Sequence, residues 1–452
     1  MDTIVALATP AGRSAIGIIR MSGPSSLSIT RSLLCEDEFR PEPARPQLKK
    51  IRDPNTSAVV DQALVTHFKA PHSFTGEDVV EISCHGSPVI LRLLIDSILS
   101  LDGRLASPGE FTLRALSNGK MDLSQAEAIR DLINAQSDAA ARQAVRQMGG
   151  ELSSRLQPLK DKLVALIVPL ESAVEFVEDD LPPRETQELR ENLENLVSEI
   201  RVLSSTFSHG HLLRDGVRVT LVGRPNSGKS SLFNSLLGAD RAIVTEIAGT
   251  TRDTVSEHIN LKGFPVMLTD TAGVRDSADL IERIGVERTQ RAMAEADLLV
   301  VVVDGAADLG CEDRHFLKRT NERSPVIALN KSDLPMFRDR LTRELGGNPR
   351  MVQVSAKTGA GVDELRDAIL RPFALIDARE SGLLITDARH YDLLRRTDVE
   401  LQSAQRLLRE GASEELVLVG LYGALRFLGE ITGETTAEDV LTEIFSTFCI
   451  GK

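Results

Sequence analysis

Residues 223–230 read Gly-Arg-Pro-Asn-Ser-Gly-Lys-Ser, a complete G-x-x-x-x-G-K-S phosphate loop, and no other stretch limits the fold so tightly. The loop works only between a strand and a helix. Gly223 and Gly228 let backbone N–H groups turn toward phosphate oxygens, and a helix starting near Lys229 adds its positive end. Lys229 is expected to reach the β- and γ-phosphates and Ser230 to ligate Mg²⁺, with Asn226, Ser227, Gly228 and Ser231 lining the same loop. Companion motifs follow in order: Asp270-Thr271-Ala272-Gly273, Asn330-Lys331-Ser332-Asp333 and Ser355-Ala356-Lys357. Apolar runs at 217–222, 266–268, 298–303, 326–329 and 352–354 alternate with helical stretches, as in a parallel sheet whose ligands bind beyond the carboxyl ends of its strands.

The residue types name the ligand. Asp270, ending a strand, is expected to hold Mg²⁺ through water, and Gly273 to donate its N–H to a γ-phosphate. In Asn330-Lys331-x-Asp333, which is expected to select the base, the Asp333 carboxylate accepts from N1–H and the exocyclic amine of guanine. Adenine offers neither group, so the carboxylate would be left unpaired and ATP is disfavoured. Ser355, Ala356 and Lys357 support the same base edge. Gly249-Thr250-Thr251-Arg252-Asp253 stands where a switch loop belongs, with Thr251 expected to close on Mg²⁺. Ras-like enzymes carry a water-orienting Gln after the Asp-x-x-Gly motif. Val274 occupies that place here, and Glu282 is the nearby candidate to do the work, set against an ordinary surface glutamate.

The rest of the chain is read from its periodicity. At 452 residues it has room for about three domains. Residues 1–118 mix strand candidates (16–20 and 79–82) with a helix candidate at 90–101. Helical sequence runs from Ser124 to about His209, where Leu189, Leu193, Leu196, Ile200 and Leu203 form one apolar stripe. It resumes near Asp377, with Leu393, Leu394, Leu401, Leu407 and Leu408 as packing positions. Helices on both sides of a nucleotide domain indicate an insertion. The expected domains are 1–118, 119–212 plus 376–452, and 213–375. The formal net charge of −13 makes the chain a poor general nucleic-acid binder. Cys35, Cys84, Cys311 and Cys449 have neither zinc-site nor disulfide-framework spacing. No run approaches the ~20 apolar residues of a membrane span, and the start lacks a basic leader. The expectation is a soluble, cytoplasmic protein with no membrane partner.

Further motifs give a specific likeness: Asp2-Thr3-Ile4-Val5-Ala6 with Ala8-Thr9-Pro10, Phe74-Thr75-Gly76-Glu77-Asp78-Val79, Pro108-Gly109-Glu110-Phe111-Thr112, Leu123-Ser124-Gln125-Ala126-Glu127-Ala128 and the final Cys449-Ile450-Gly451-Lys452. With the nucleotide motifs, they make the chain resemble the tRNA-modifying GTPase family MnmE (TrmE) over essentially its full length. The resemblance implies an N-terminal α+β tetrahydrofolate-binding-like domain that forms homodimers, a helical bundle, and an inserted P-loop α/β GTPase domain of Ras-like topology. It implies a potassium-activated GTPase that works with a flavoprotein, MnmG (GidA), in a heterotetramer or larger assembly. That assembly adds an aminomethyl-type group to C5 of the wobble uridine of certain tRNAs. The carbon comes from 5-formyl- or 5,10-methylene-tetrahydrofolate, and FAD enters only through the partner.

By motif, the resemblance assigns folate contacts to Arg20, Glu81, Lys120 and Lys452. It assigns potassium ligation to Asn226, Thr245, Ile247 and Thr250, within a nucleotide-contacting loop Thr245-Glu246-Ile247-Ala248-Gly249-Thr250, and water positioning to Glu282. Cys449 matches a family cysteine. Ala11 and Ser14 depart from the family pattern without touching a named site, and Cys84 beside His85 reads as packing. The alternatives are a GTP-switched RNA-binding or ribosome-assembly factor, which would append a basic RNA-binding module, and a membrane-remodelling GTPase, which needs a basic apolar anchor. Neither feature appears in the sequence.

Overall fold

A computed structural model of the chain describes residues 2–175, 183–238, 255–262, 264–270, 291–337, 350–373, 382–436 and 438–451. They divide into two compact units, Met1–Ile133 with Val145–Leu193 and Val399–Lys452, and Asn134–Ala144 with Glu194–Asp398.

The first unit opens with a six-stranded sheet: β1 (Thr3–Leu7), β2 (Ile16–Ser22), β3 (Gln47–Arg52), β4 (Val59–Phe68), β5 (Val79–His85) and β6 (Gly103–Leu105), in the order β3-β4-β5-β2-β1-β6. All pairs are antiparallel except β1 with β6. The two-residue period of a strand sorts the faces. Ile19, Met21, Val80, Ile82 and Cys84 face a core with Leu33, Leu91 and Leu94 from the helices Ser26–Leu34 and Pro88–Ser100. Arg20 and Glu81 take the intervening positions. Gly17 admits the second helix, since a Cβ there would lie 2.6 Å from Leu91. Around the helices Leu123–Asn134 and Glu438–Ser446, Leu123, Ala126, Phe445 and Phe448 form a further cluster. The helices Glu151–Glu175 and Glu414–Thr432 pack together. Beside them the buried Lys160 ammonium donates to Thr432 Oγ1 at 2.9 Å and Glu434 Oε1 at 2.7 Å. The helix Pro183–Ser205 is divided between the units after Leu193, and its apolar stripe Leu189 to Leu203 is buried. On Ala388–Glu410, Leu393, Leu394 and Leu401 are buried and Leu407 and Leu408 half-buried.

The second unit carries β7 (Val217–Val222), β8 (Val255–Leu261), β9 (Phe264–Asp270), β10 (Leu298–Asp304), β11 (Val326–Asn330) and β12 (Met351–Gln353), ordered β12-β11-β10-β7-β9-β8. Every pair is parallel except β8 with β9. Central β10 is covered on both faces, which is why it reads as an unbroken run of Leu and Val. The helices Lys229–Leu237 and Val362–Leu370 cover one face, and the helix Cys311–Thr320 lies near Met293 on the other. The fold is a P-loop α/β domain of Ras-like strand order.

Where the chain runs into and out of this sheet, the two crossings are clamped. A Cβ on Gly210 would sit 2.0 Å from the Ile385 carbonyl oxygen. Ile385 N–H donates to Thr206 Oγ1 at 3.0 Å, Arg214 Nη1 to Asp387 Oδ2 at 2.5 Å, and the Phe207 and Tyr391 rings stack at 4.3 Å. Burial alone would raise the Asp387 carboxyl. The charges of His390 and Arg214 and the Arg389 N–H outweigh it and hold the group well below the usual carboxylate range. No helix among the described residues is long and apolar enough to cross a membrane.

Candidate functional site

The phosphate loop leaves β7 directly into the helix Lys229–Leu237. Gly223 has φ 150°, and a Cβ there would lie 2.3 Å from the Val302 carbonyl oxygen, so the loop runs tight against β10. Gly228 has φ 94°, in the region that favours glycine, and a Cβ on it would lie 2.2 Å from Asn330 Nδ2. The buried Lys229 ammonium donates to the carbonyls of Gly223 at 2.9 Å and Arg224 at 3.0 Å, closing the loop on itself. Ser227 is fully buried and its hydroxyl has no hydrogen-bond partner. A buried, unsatisfied hydroxyl beside a left-handed glycine and a lysine suits an oxyanion such as a nucleotide phosphate. Ser230 and Ser231 are exposed on the first helical turn. Buried Asp270 ends β9, so a hydroxyl and a carboxylate of the kind that hold Mg²⁺ are both present.

Asn330 links three loops of the site. Its amide is buried and points inward, donating from Nδ2 to the Ser227 carbonyl at 3.0 Å and accepting at Oδ1 from Lys331 N–H at 2.8 Å and Ala356 N–H at 3.0 Å. It ties the phosphate loop to the loops that carry Lys331 and Ala356, a structural part of the motif that the sequence reading did not include. Asp333 is exposed, and one of its oxygens is fixed by the Ser355 hydroxyl at 2.7 Å. Ser355 is itself buried and accepts from Thr358 N–H at 3.1 Å, so the carboxylate is aimed by a locked neighbour. Lys357 is exposed, and Ser332 N–H donates to the Val354 carbonyl at 3.1 Å. Asp304, overlooked in the sequence, ends β10 and accepts from Lys331 Nζ at 2.6 Å. Only the strand register, which sets Asp304 opposite Asn330, points to it. Thr245, Glu246, Ile247, Ala248, Gly249, Thr250, Thr251, Thr271, Ala272, Gly273, Glu282 and Lys452 lie outside the described residues. Of the potassium set, only Asn226, at φ 62°, is described.

A second polar centre lies in the first unit. Arg20 and Glu81 are register partners on β2 and β5, with Arg20 Nη2 2.7 Å and Nε 2.8 Å from Glu81 Oε1. Arg20 Nη1 also donates to the Gly451 carbonyl at 3.3 Å, and its guanidinium stands 5.9 Å from the ring centres of Phe74 and Phe111. A cation, a carboxylate and the partly exposed Phe74 ring stand together here, groups that can pair with charged, hydrogen-bonding and aromatic parts of a ligand. The Lys120 ammonium donates to the Pro71 carbonyl at 2.9 Å. Gly109 N–H donates to the Cys449 carbonyl at 3.5 Å, and the Cys449 side chain is exposed. Cys84 is buried, its thiol pushed up to about 11 by burial, and its Sγ donates to the Gly17 carbonyl at 3.4 Å. It packs, as expected, while neighbouring His85 pairs with Asp61 at 2.7 Å.

Comparison with known proteins adds the following. Residues 3–120 match the family described as "GTP-binding protein TrmE N-terminus", and residues 123–449 match "MnmE helical domain". The tRNA modification GTPase MnmE of Koribacter versatilis is 44% identical over 454 residues, covering 100% of this chain and 99% of that protein. The proteins of the same name from Aquifex aeolicus and Heliobacterium modesticaldum are 41% and 42% identical, covering 100% of this chain and 100% and 99% of theirs. A crystal structure of Aquifex aeolicus Era bound to GDP and aluminium fluoride is 26% identical with a TM-score of 0.29, covering 40% of this chain and 66% of that one.

Proposed function

Because this chain belongs to the MnmE family of tRNA modification GTPases and hydrolyses GTP, we propose that it spends that hydrolysis on transferring a folate-borne carbon to C5 of a wobble uridine in tRNA. It does so as a homodimer and together with an FAD-carrying partner of the MnmG type. Residues 1–118 hold the folate and dimerise, 119–212 with 376–452 form the helical part, and 213–375 are the GTPase.

The chain's own residues supply the nucleotide chemistry. Lys229 and the N–H groups of the Gly228 turn hold phosphate oxygens in a loop whose shape Asn330 fixes. Asp333, held by Ser355, selects guanine. Ser230, Thr251 and Asp270 would hold Mg²⁺, which neutralises phosphate charge. Asn226, Thr245, Ile247 and Thr250 would hold K⁺, which adds positive charge where that charge develops. Glu282 orients the attacking water.

The observation that carries the folate half is the Arg20–Glu81 pair with the Gly451 carbonyl against it: two of the folate residues and the tail that bears Lys452 meet at one place. Calorimetric titration of 5-formyl-tetrahydrofolate into the full chain should saturate. It should weaken at least about tenfold in Arg20→Ala and in a chain lacking Cys449 to Lys452, as loss of a charge-assisted contact requires. Unchanged binding in both variants would sink the folate assignment. No binding to any form, with tight GTP-dependent binding to ribosomal subunits, would make the chain an assembly factor.

A further inference from the structure

Asp304 belongs to none of the nucleotide motifs, yet its carboxylate is shared by both ends of the nucleotide site. Oδ2 lies 2.6 Å from Lys331 Nζ and 3.8 Å from Arg224 Nη2, while Oδ1 accepts from Ala306 N–H at 3.0 Å. Arg224 is the second residue of the phosphate loop, and its own carbonyl is one of the two that hold Lys229. Its Nε lies 3.4 Å from Asp313 Oδ2, which also accepts from Gly310 N–H at 3.0 Å at the start of the helix Cys311–Thr320. The Asp304 and Asp313 side chains are 13% and 1% exposed. Lys331, Asp304, Arg224 and Asp313 therefore form a chain of alternating charge, with the two carboxylates more buried than the Lys331 and Arg224 side chains, which are 33% and 24% exposed.

We propose that Asp304 is a positioning residue for nucleotide binding, a single counter-charge that fixes the phosphate loop through Arg224 and the base loop through Lys331. The inference rests on the assignment of this site to GTP. Lys331 lies between Asn330 and Asp333 at φ 68°, a backbone shape its side-chain anchor helps to hold. Removing the carboxylate charge takes the ion-pair partner from Lys331, leaves Arg224 with Asp313 alone and loosens both loops, so the ground-state complex suffers. Asp304 holds only the loops, so the chemical step is spared. The signature is a change in KM and nucleotide release with kcat preserved.

The test uses the full chain, with steady-state GTP hydrolysis and stopped-flow release of a fluorescent GDP. Asp304→Asn should raise KM and the release rate about ten- to a hundredfold, the worth of a charge-assisted hydrogen bond, with kcat within about twofold. Asp304→Glu should recover most of the loss. Arg224→Ala should cost about tenfold alone but less than about threefold when added to Asp304→Asn, because the two act through one contact. Asp304→Asn with wild-type KM and release, a fall in kcat in place of the KM change, or fully multiplicative losses would each overturn the proposal. Should Asp304→Asn fail to fold by circular dichroism, Arg224→Gln decides in its place: higher KM at constant kcat supports the linkage, and unchanged KM overturns it.

Discussion

Replacing Asn330 with alanine removes the hydrogen bonds to the Ser227 carbonyl, the Lys331 N–H and the Ala356 N–H, at 3.0, 2.8 and 3.0 Å, from a side chain that is 2% exposed. Each neutral bond is worth about 1 kcal/mol net, and each partner left dry costs about 1–3 kcal/mol. A water entering the vacated space would satisfy one or two of the three. The sum comes to roughly 3 kcal/mol, or about a hundredfold at 1.4 kcal/mol per decade. Because the amide joins the phosphate loop to both base loops, the loss should fall on every nucleotide alike. Displacement of a fluorescent GDP by GDP, GTP and IDP on the full chain measures it. All three affinities should fall about 30- to 300-fold, and the ratio of GDP to IDP should stay near the wild-type value. In Asp333→Ala that ratio should collapse toward one, because the carboxylate is what senses the exocyclic amine. A GDP affinity within about threefold of wild type in Asn330→Ala, or a collapse of the ratio matching Asp333→Ala, would refute the reasoning.

Gly228→Ala forces a Cβ to 2.2 Å from Asn330 Nδ2 at φ 94°, so GDP binding measured by the same displacement should fall by more than about a hundredfold, beyond the ~1–2 kcal/mol of left-handed strain alone. The Asp387 carboxyl has a depressed folded-state pKa, so its stabilisation is fully present above the unfolded value near ~3.9 and fades as pH falls through the folded value. The gap in urea midpoint between wild type and Asp387→Asn should be widest near neutral pH and shrink below about pH 4; a constant gap would contradict the ion-pair account. Cys84, buried with its thiol raised to about 11, should resist a thiol-specific chromophore at pH 8 until the chain is unfolded, whereas exposed Cys35 and Cys449 react in the native state.

The nucleotide half of the site was legible because its motifs are local: each sits on a few consecutive residues at a strand end of one sheet. What escaped was set by register. Asp304 is one more acidic residue after an apolar strand until β10 and β11 place it opposite Asn330. Edge strand β8, Val255–Leu261, holds the polar run Ser256-Glu257-His258, which breaks the apolar signal, and it carries no motif to draw attention. The bond from Asn330 to the Ser227 carbonyl was likewise unreadable, because it joins loops 103 positions apart. Arg20 and Glu81 are 61 positions apart and Arg20 and Gly451 431 apart, so only the folded sheet and the docked tail join them. Lys120, grouped with them by likeness, donates to the Pro71 carbonyl, 49 positions away.

The clamp between the segments flanking the inserted sheet has an entropic meaning. With Gly210 against the Ile385 carbonyl and Arg214 bonded to Asp387, the whole stretch between them is, to the host chain, a loop whose ends are already tied. Each doubling of such a loop adds only about 0.6 kcal/mol to its closure cost. The helical sequence on either side can therefore carry an entire nucleotide-hydrolysing fold at a thermodynamic cost close to that of a short surface excursion. A larger residue at position 210 would prise the stem apart, since its Cβ meets the Ile385 carbonyl oxygen.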